Sequence, residues 1–515
     1  MSTRPIIGFL ILTLLLAACA PAAQPTPIAQ EPRPTSPRYE PPPLAATEAP
    51  AAVEVWGQPT VAAGDNFYQD YGVNPRTSPE EDHLSTFSLD VDTASYTVAR
   101  RYIQDGNLPP IEAVRVEEFV NAFDQGYASP PGAAFSIYAD GAPNPFVGDR
   151  QYYLRFGVQG YRVPEDERKP LRLTFVIDIS GSMNRENRLE LVKDSLRLLV
   201  KRLDWRDSVA IVVFGSDARL ALEPTPGDER NTIQRVIDRQ RTEGSTNAEA
   251  GLRLGYRYAM QAYDPEASNR VVLCSDGVAN TGETRPDALL DMVGGYVSEG
   301  IDLTTVGFGM GNFNDVLLEQ LADRGNGNYA YVDDLDEAQR LFVDDLTSTL
   351  QVIAYDAKVQ VDFNPEIVSE YRLVGYENRQ IADQDFRDDS VDAGEIGAGH
   401  TAIAIYKVRL VPGAEGRIAT VQLRWQDADT REVREINGNF NTWDMYPSYE
   451  ESDPYYQLAV LVAAYAEVLR ASTYADASLE DIAQMARRVA RFLPEYDQAQ
   501  EFADLARDAA WIGER

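Results

Sequence analysis

The chain has 515 residues, 44% of them apolar, and a formal net charge of −34 from 81 acidic against 47 basic side chains. That acidity excludes nucleic acid as a natural partner, because phosphates are repelled. Two cysteines exclude a disulfide framework, and after residue 18 no apolar run approaches the ~20 residues a membrane-spanning helix needs.

Met1 to Ala18 reads as an export signal: Arg4 supplies a positive start, Ile6 to Ala18 is apolar, and Leu16-Ala-Ala-Cys19 closes it. The closing tetrapeptide resembles the bacterial lipobox, which makes Cys19 the lipidated first residue of the mature chain; the plainer alternative is an ordinary cleaved signal. Acyl chains contribute about 0.8 kcal/mol per buried CH₂, so several on one cysteine anchor stably. The expected location is extracytoplasmic, on the cell membrane or the outer membrane. Residues 20–63 are rich in Pro, Ala, Thr and Gln, a composition that favours extended chain over a core. At about 3.1 Å per residue this tether reaches on the order of 100 Å.

Residues 64–168 form an N-terminal flank. Asp90-x-Asp92 invites a phosphatase reading, but such enzymes need Thr or Val where Ala94 stands, and Asp92 or Thr93 capping a helix to about Gln104 is the better account. Gly106-Asn-Leu-Pro-Pro breaks that helix. Val116, Phe119, Val120 and Phe123 then repeat at i, i+3, i+4, i+7. Ala134–Ala139 and Tyr152–Val158 read as strands.

Strands and helices alternate over 169–350. Strands are predicted near 171–178, 208–214, 218–222, 270–275, 302–308 and 328–332. Helices are predicted near 186–203, 229–240, 248–263, 286–299, 314–323 and 335–350. This alternation implies an α/β fold: a doubly wound, mostly parallel six-stranded sheet with one antiparallel edge from the 208–222 pair. Gly307-Phe-Gly309-Met-Gly311 follows a late strand, lacks the full dinucleotide spacing and reads as a turn. Cys274 sits inside an apolar strand and reads as core.

One constellation in this region carries chemistry. The apolar run Leu173, Phe175, Val176, Ile177 stops at Asp178, and Ser180 and Ser182 follow on the turn at the carboxyl end of that strand, where open α/β sheets bind ligands. Asp276 ends a second apolar strand, and Thr246 lies in the Gly244-Ser-Thr-Asn loop that opens a helix. If the two strands are neighbours, two carboxylates and three hydroxyls face one point. All are oxygen donors, the ligand set of a hard cation such as Mg²⁺. Asp and Ser are also ordinary helix caps; it is the agreement of three separate pieces that favours the cation.

After residue 350, Val359, Val361 and Phe363 alternate, as do Val421, Leu423 and Trp425, and Thr401–Leu410 is strand-like. Strands thus flank the α/β domain on both sides, and a β-rich region over 351–445 is expected to pair with 134–158 in one discontinuous sandwich, with two separate sheets as the alternative. Residues 446–515 change character: helices are predicted over 455–470, 478–492 and 497–512, the first with an apolar stripe of Leu458, Leu461, Val462, Tyr465 and Leu469.

Asp178-x-Ser180-Gly-Ser182, Gly244-Ser-Thr246 and Ser275-Asp276-Gly277 resemble the metal-ion-dependent adhesion site of von Willebrand factor A domains, with all five positions matching. The resemblance implies that Ser180, Ser182 and Thr246 ligate the metal (Mg²⁺, or Mn²⁺ or Ca²⁺). It implies that Asp178 and Asp276 act mainly through waters and hydrogen bonds, and that a partner's Glu or Asp carboxylate completes the shell. From about Thr86 onward the chain also resembles bacterial YfbK-like lipoproteins. The marks are Phe87-Ser-Leu-Asp-Val-Asp-Thr-Ala-Ser-Tyr96, Pro109-Pro110 with Val114-Arg-Val-Glu-Glu118, Gly325-Asn-Gly-Asn-Tyr329 and Asp392-Ala-Gly-Glu-Ile-Gly-Ala-Gly-His400.

The leading expectation is therefore a tethered protein-binding module that uses a divalent cation, and not an enzyme. No Walker A, His-Glu-x-x-His or Gly-x-Ser-x-Gly motif occurs, and the two histidines, His83 and His400, are remote in sequence from the site. A metal-assisted hydrolase with Asp178 or Asp276 as base, and an envelope scaffold with a structural metal, are the alternatives.

Overall fold

A computed structural model describes residues 66–89, 91–148, 150–277, 286–310 and 314–515. The signal segment, Cys19, the tether and Asp90 lie outside the described residues.

The flank contributes β1 (Leu84–Ser88), α1 (Ala94–Gln104), α2 (Val116–Asn121), β2 (Phe135–Pro143) and β3 (Gln151–Gly160). The α/β domain runs through β4 (Leu171–Asp178), α3 (Arg188–Arg202), β5 (Ser208–Phe214), β6 (Ala218–Pro226), α4 (Arg230–Arg239), α5 (Ala248–Ala262) and β7 (Ser268–Ser275). It continues through α6 (Pro286–Val297), β8 (Asp302–Phe308), α7 (Asp315–Arg324), β9 (Tyr329–Val332), α8 (Leu335–Gln339) and α9 (Leu346–Leu350). Beyond it come β10 (Val352–Phe363), β11 (Val368–Val374), β12 (Gly394–Gly397), β13 (Thr401–Leu410), β14 (Arg417–Asp427), β15 (Val433–Asn441), α10 (Pro454–Leu469), α11 (Leu479–Ala490) and α12 (Asp497–Gly513).

The six-stranded sheet has the order β6-β5-β4-β7-β8-β9. Every pairing is parallel except β5 with β6, the antiparallel edge. Its strands are apolar nearly throughout because helices cover both faces. Leu173, Phe175 and Ile177 pack toward α3 and α4, whereas Val176 packs toward α5. Helix α5 lies close on β4: a Cβ at Gly255 would fall 2.4 Å from Val176 Cγ2. α3 begins at Arg188, two residues later than predicted. A 3₁₀ segment and left-handed backbone at Glu186 and Asn187 precede it. The stretch predicted as one helix over 335–350 is broken by a π turn at Arg340–Asp344.

The flanking strands form a sandwich. One sheet has the order β11-β13-β3-β2, and the other runs β1-β10-β14-β15 with β12 added beside β10. β3 and β13 are antiparallel with Tyr406 opposite Leu154, so strands from before and after the α/β domain share a sheet. Leu154, Phe156 and Val158 meet Val359, Val361 and Leu423 between the sheets. The other face of β3 carries Tyr153 and packs on the C-terminal helices with Ile403 and Ile405. Helix α10, predicted to have one apolar stripe, is instead buried on nearly all sides, because it lies between that sheet, α2 and the other helices.

Buried ion pairs join the parts. Arg115 contacts Glu118 and, across the boundary, Asp315 of α7 at 2.6 Å. Arg372 of β11 and Arg470 share Glu467 of α10. Arg155 donates to Asp140 at 2.6 Å with its guanidinium over the ring of Tyr127. Asp92 does not cap α1: its carboxylate accepts the Tyr329 N–H of β9 at 2.8 Å, and Thr93 is the cap residue without a side-chain bond.

Candidate metal centre

Strand β4 places Asp178 at its carboxyl end, fully buried. Its two oxygens are fixed: Oδ1 accepts the Ser180 N–H at 2.8 Å, and Oδ2 accepts the Ser275 hydroxyl at 2.7 Å. Ser275 ends β7, the parallel neighbour of β4, so adjacency of the two strands brings Asp276 to the same edge. Ser180 Oγ lies 3.0 Å from Ser182 Oγ, and the Ser182 hydroxyl donates to Asp276 Oδ1 at 3.0 Å. Four of the five predicted residues, Asp178, Ser180, Ser182 and Asp276, thus form one cluster.

The loop carrying Thr246 docks onto the same turn. The Glu243 N–H donates to the Ile179 carbonyl at 2.6 Å, and the Gly181 N–H donates to the Gly244 carbonyl at 3.1 Å. Gly244 has φ +76°, and a Cβ there would meet Ser216 Oγ at 2.6 Å, so the tight approach requires glycine. Thr246 follows two residues later and is half-buried. Asn247 then caps α5, its side chain accepting the Ala250 N–H at 3.1 Å.

Burial, and secondarily the neighbouring Asp276 carboxylate, push the Asp178 carboxyl up to about 7. Asp276 is also raised by burial, against the opposing hydrogen bond and charge of Arg188. Two buried carboxylates stand beside the hydroxyls of Ser180 and Ser182 with one buried arginine, Arg188, on Asp276, a charge balance that would suit a small cation. The donor set is all oxygen, which fits a hard ion. Among the described residues no group of three or more His, Cys, Asp or Glu converges to hold a metal, at this edge or elsewhere, so the candidate site rests on two carboxylates and hydroxyls.

Arg188 was passed over in the sequence. Its Nη1 donates to Asp276 Oδ2 at 2.6 Å, and its Nη2 contacts the Met310 carbonyl. Gly309, φ +80°, makes room for it, since a Cβ would fall 2.1 Å from Arg188 Nε. The Gly307–Met310 turn is the signal that something must pass beside it. Cys274 is buried as predicted, with burial pushing its thiol up.

The von Willebrand factor type A domain family matches residues 173–344, a family described as uncharacterized protein YfbK, C-terminal, matches 348–417, and one described as von Willebrand factor matches 62–153. Over 450 residues the chain is 35% identical to the uncharacterized protein YfbK of Escherichia coli, covering 82% of this chain and 77% of that protein. It is 28% identical to the uncharacterized protein sll0103 of Synechocystis over 54% of this chain and 66% of that one. Over 31% of this chain and 18% of the other, it is 29% identical to human inter-alpha-trypsin inhibitor heavy chain H3. A solved von Willebrand factor type A protein from Catenulispora acidiphila aligns over 72% of this chain and 89% of its own, with 16% identity and a TM-score of 0.42.

Proposed function

The chain belongs to the YfbK family of von Willebrand factor type A proteins, and from that premise we propose that it is a membrane-tethered extracytoplasmic lipoprotein whose A domain grips a protein partner through a divalent cation. Its A domain is a module consistent with protein–protein interaction or adhesion, and A domains of this type typically bind a divalent cation at the corresponding edge. The observation that carries the reading is the hydrogen-bonded cluster of Asp178, Ser180, Ser182 and Asp276 at the carboxyl edge of β4 and β7.

In this reading Ser180, Ser182 and Thr246 hold the ion, Mg²⁺ by preference and Mn²⁺ or Ca²⁺ otherwise. Asp178 orients the Ser180 turn through its backbone N–H, and Asp276 orients the Ser182 hydroxyl. The ion supplies a Lewis-acidic contact for a partner's Glu or Asp carboxylate. With few charged groups on the ion itself, it retains positive charge, which lets a chain of net charge −34 engage an acidic group. Cys19 and the tether would present the domain away from the membrane.

The test is capture from envelope extract by the immobilised chain with Mg²⁺ or with chelator. Ser180→Ala should abolish divalent-dependent capture while leaving the circular dichroism spectrum unchanged. Capture that persists in chelator overturns the reading. Metal-dependent stability without any metal-dependent partner would favour a scaffold instead.

A further inference from the structure

Arg188 is hard to explain as a packing residue. It is 3% exposed, its Nε has no partner, and it opens α3, where the helix dipole disfavours a cation. The fold nevertheless makes room for it with a left-handed glycine at 309, whose Cβ would clash with its Nε. The backbone carbonyl of Met310 anchors one end of the guanidinium, and Asp276 receives the other. Glu186, its other acidic neighbour, is 3.8 Å away and half-exposed.

We propose that Arg188 is a built-in counter-charge of the metal centre, a positioning residue that holds down the site's own affinity for the cation and leaves the bound cation more positive toward a guest carboxylate. This rests on the reading that a divalent cation sits at Ser180, Ser182 and Thr246. The argument is one of charge. Asp178 and Asp276 with Arg188 sum to −1, so a divalent ion brings the centre to +1. Without Arg188 the carboxylates sum to −2, and the same ion brings the centre only to zero. The ion is then held more tightly and attracts an anion less. Arg188 also fixes Asp276 Oδ2, leaving Oδ1 to the Ser182 hydroxyl.

The two effects have opposite signs, which separates them from a loss of structure. The experiment uses the full chain. Mn²⁺ binding is followed by electron paramagnetic resonance, and acetate, as carboxylate probe, by relaxation of its methyl protons in the Mn²⁺-loaded protein. Arg188→Gln should tighten Mn²⁺ roughly tenfold and weaken acetate about threefold, since at comparable distance the lost charge acts twice as strongly on a divalent ion as on a monovalent anion. Arg188→Lys should stay near wild type on both. Gly309→Ala, which crowds the guanidinium without removing it, should move both in the direction of Arg188→Gln. Weaker Mn²⁺ binding in Arg188→Gln, or no change in either quantity, overturns the inference while leaving the metal centre standing. Failure of the wild-type chain to take up Mn²⁺ overturns both.

Discussion

Arg115→Met removes one of the cations that join the flank to the A domain; Arg100, on Asp333, is another. Arg115 is buried and reaches Glu118, Asp315 and, at 3.7 Å, Glu319. Those carboxylates keep neutral donors: the Ser95 N–H on Glu118, the Tyr329 hydroxyl on Asp315 and the Asn378 amide on Glu319. Glu319 also keeps Arg379 at 3.4 Å, so the loss of charge falls mainly on Glu118 and Asp315. Breaking a buried pair from one side typically costs about 3–5 kcal/mol. At about 2.1 cal/mol/K per residue, roughly 450 folded residues unfold with an entropy near 0.9 kcal/mol/K, so the melting temperature should fall by about 3–5 °C. The pH dependence has a definite sign. Burial already holds Glu319 well above the usual carboxylate range despite Arg115 and Arg379, and removing Arg115 raises it further. A carboxyl raised in the folded state binds its proton where the unfolded chain has lost it, so its contribution is present at low pH and is lost as pH rises. The deficit of the variant should therefore be larger at pH 8 than at pH 5.5. Calorimetry at the two pH values measures it. A deficit below about 1 kcal/mol at pH 8, or one that grows on acidification, refutes the reasoning.

Three further outcomes follow from the packing and can be checked by urea denaturation. Gly255→Ala would gain about 1 kcal/mol from helix propensity alone, but its Cβ meets Val176 at 2.4 Å, so a net loss of about 1–3 kcal/mol is expected, and a net gain would show that α5 rides more loosely on β4. Glu467→Gln leaves Arg372 and Arg470 without their shared carboxylate and should cost about 3–5 kcal/mol. Leu252→Ala, in the core between α5 and the sheet, should cost about 2–5 kcal/mol without altering divalent binding.

The A domain was legible because a parallel sheet covered on both faces writes itself as unbroken apolar runs: Leu173 to Ile177 and Val271 to Cys274 both became the expected strands. Their adjacency, which brings Ser275 onto Asp178, is a property of sheet order and is not written in either strand. The long-range ionic partners were equally hidden. Asp92 looks like a cap by position, yet it bonds to a backbone amide more than 200 residues away. Among the acidic residues, Asp140, Asp207, Asp315 and Glu467 are buried against arginines. No local pattern separates these from their exposed counterparts. The break at Arg340–Asp344 contains neither Pro nor Gly, so the composition of that helix gave no sign of it. Arg188 sits among other basic and acidic residues of a helix start, and only the third dimension singles it out.

The two ends of the A domain leave it side by side: the Lys169 N–H donates to the Gln351 side chain at 3.1 Å. These exits lie at the amino end of β4, opposite Asp178. The chain thus enters and leaves the domain through one doorway, while Asp92 on Tyr329 and Arg115 on Asp315 hold the flank against it elsewhere. A tug on its far tip divides between two strands, β3 and β10, that belong to different sheets, so the traction is spread across the whole sandwich and does not peel a single edge.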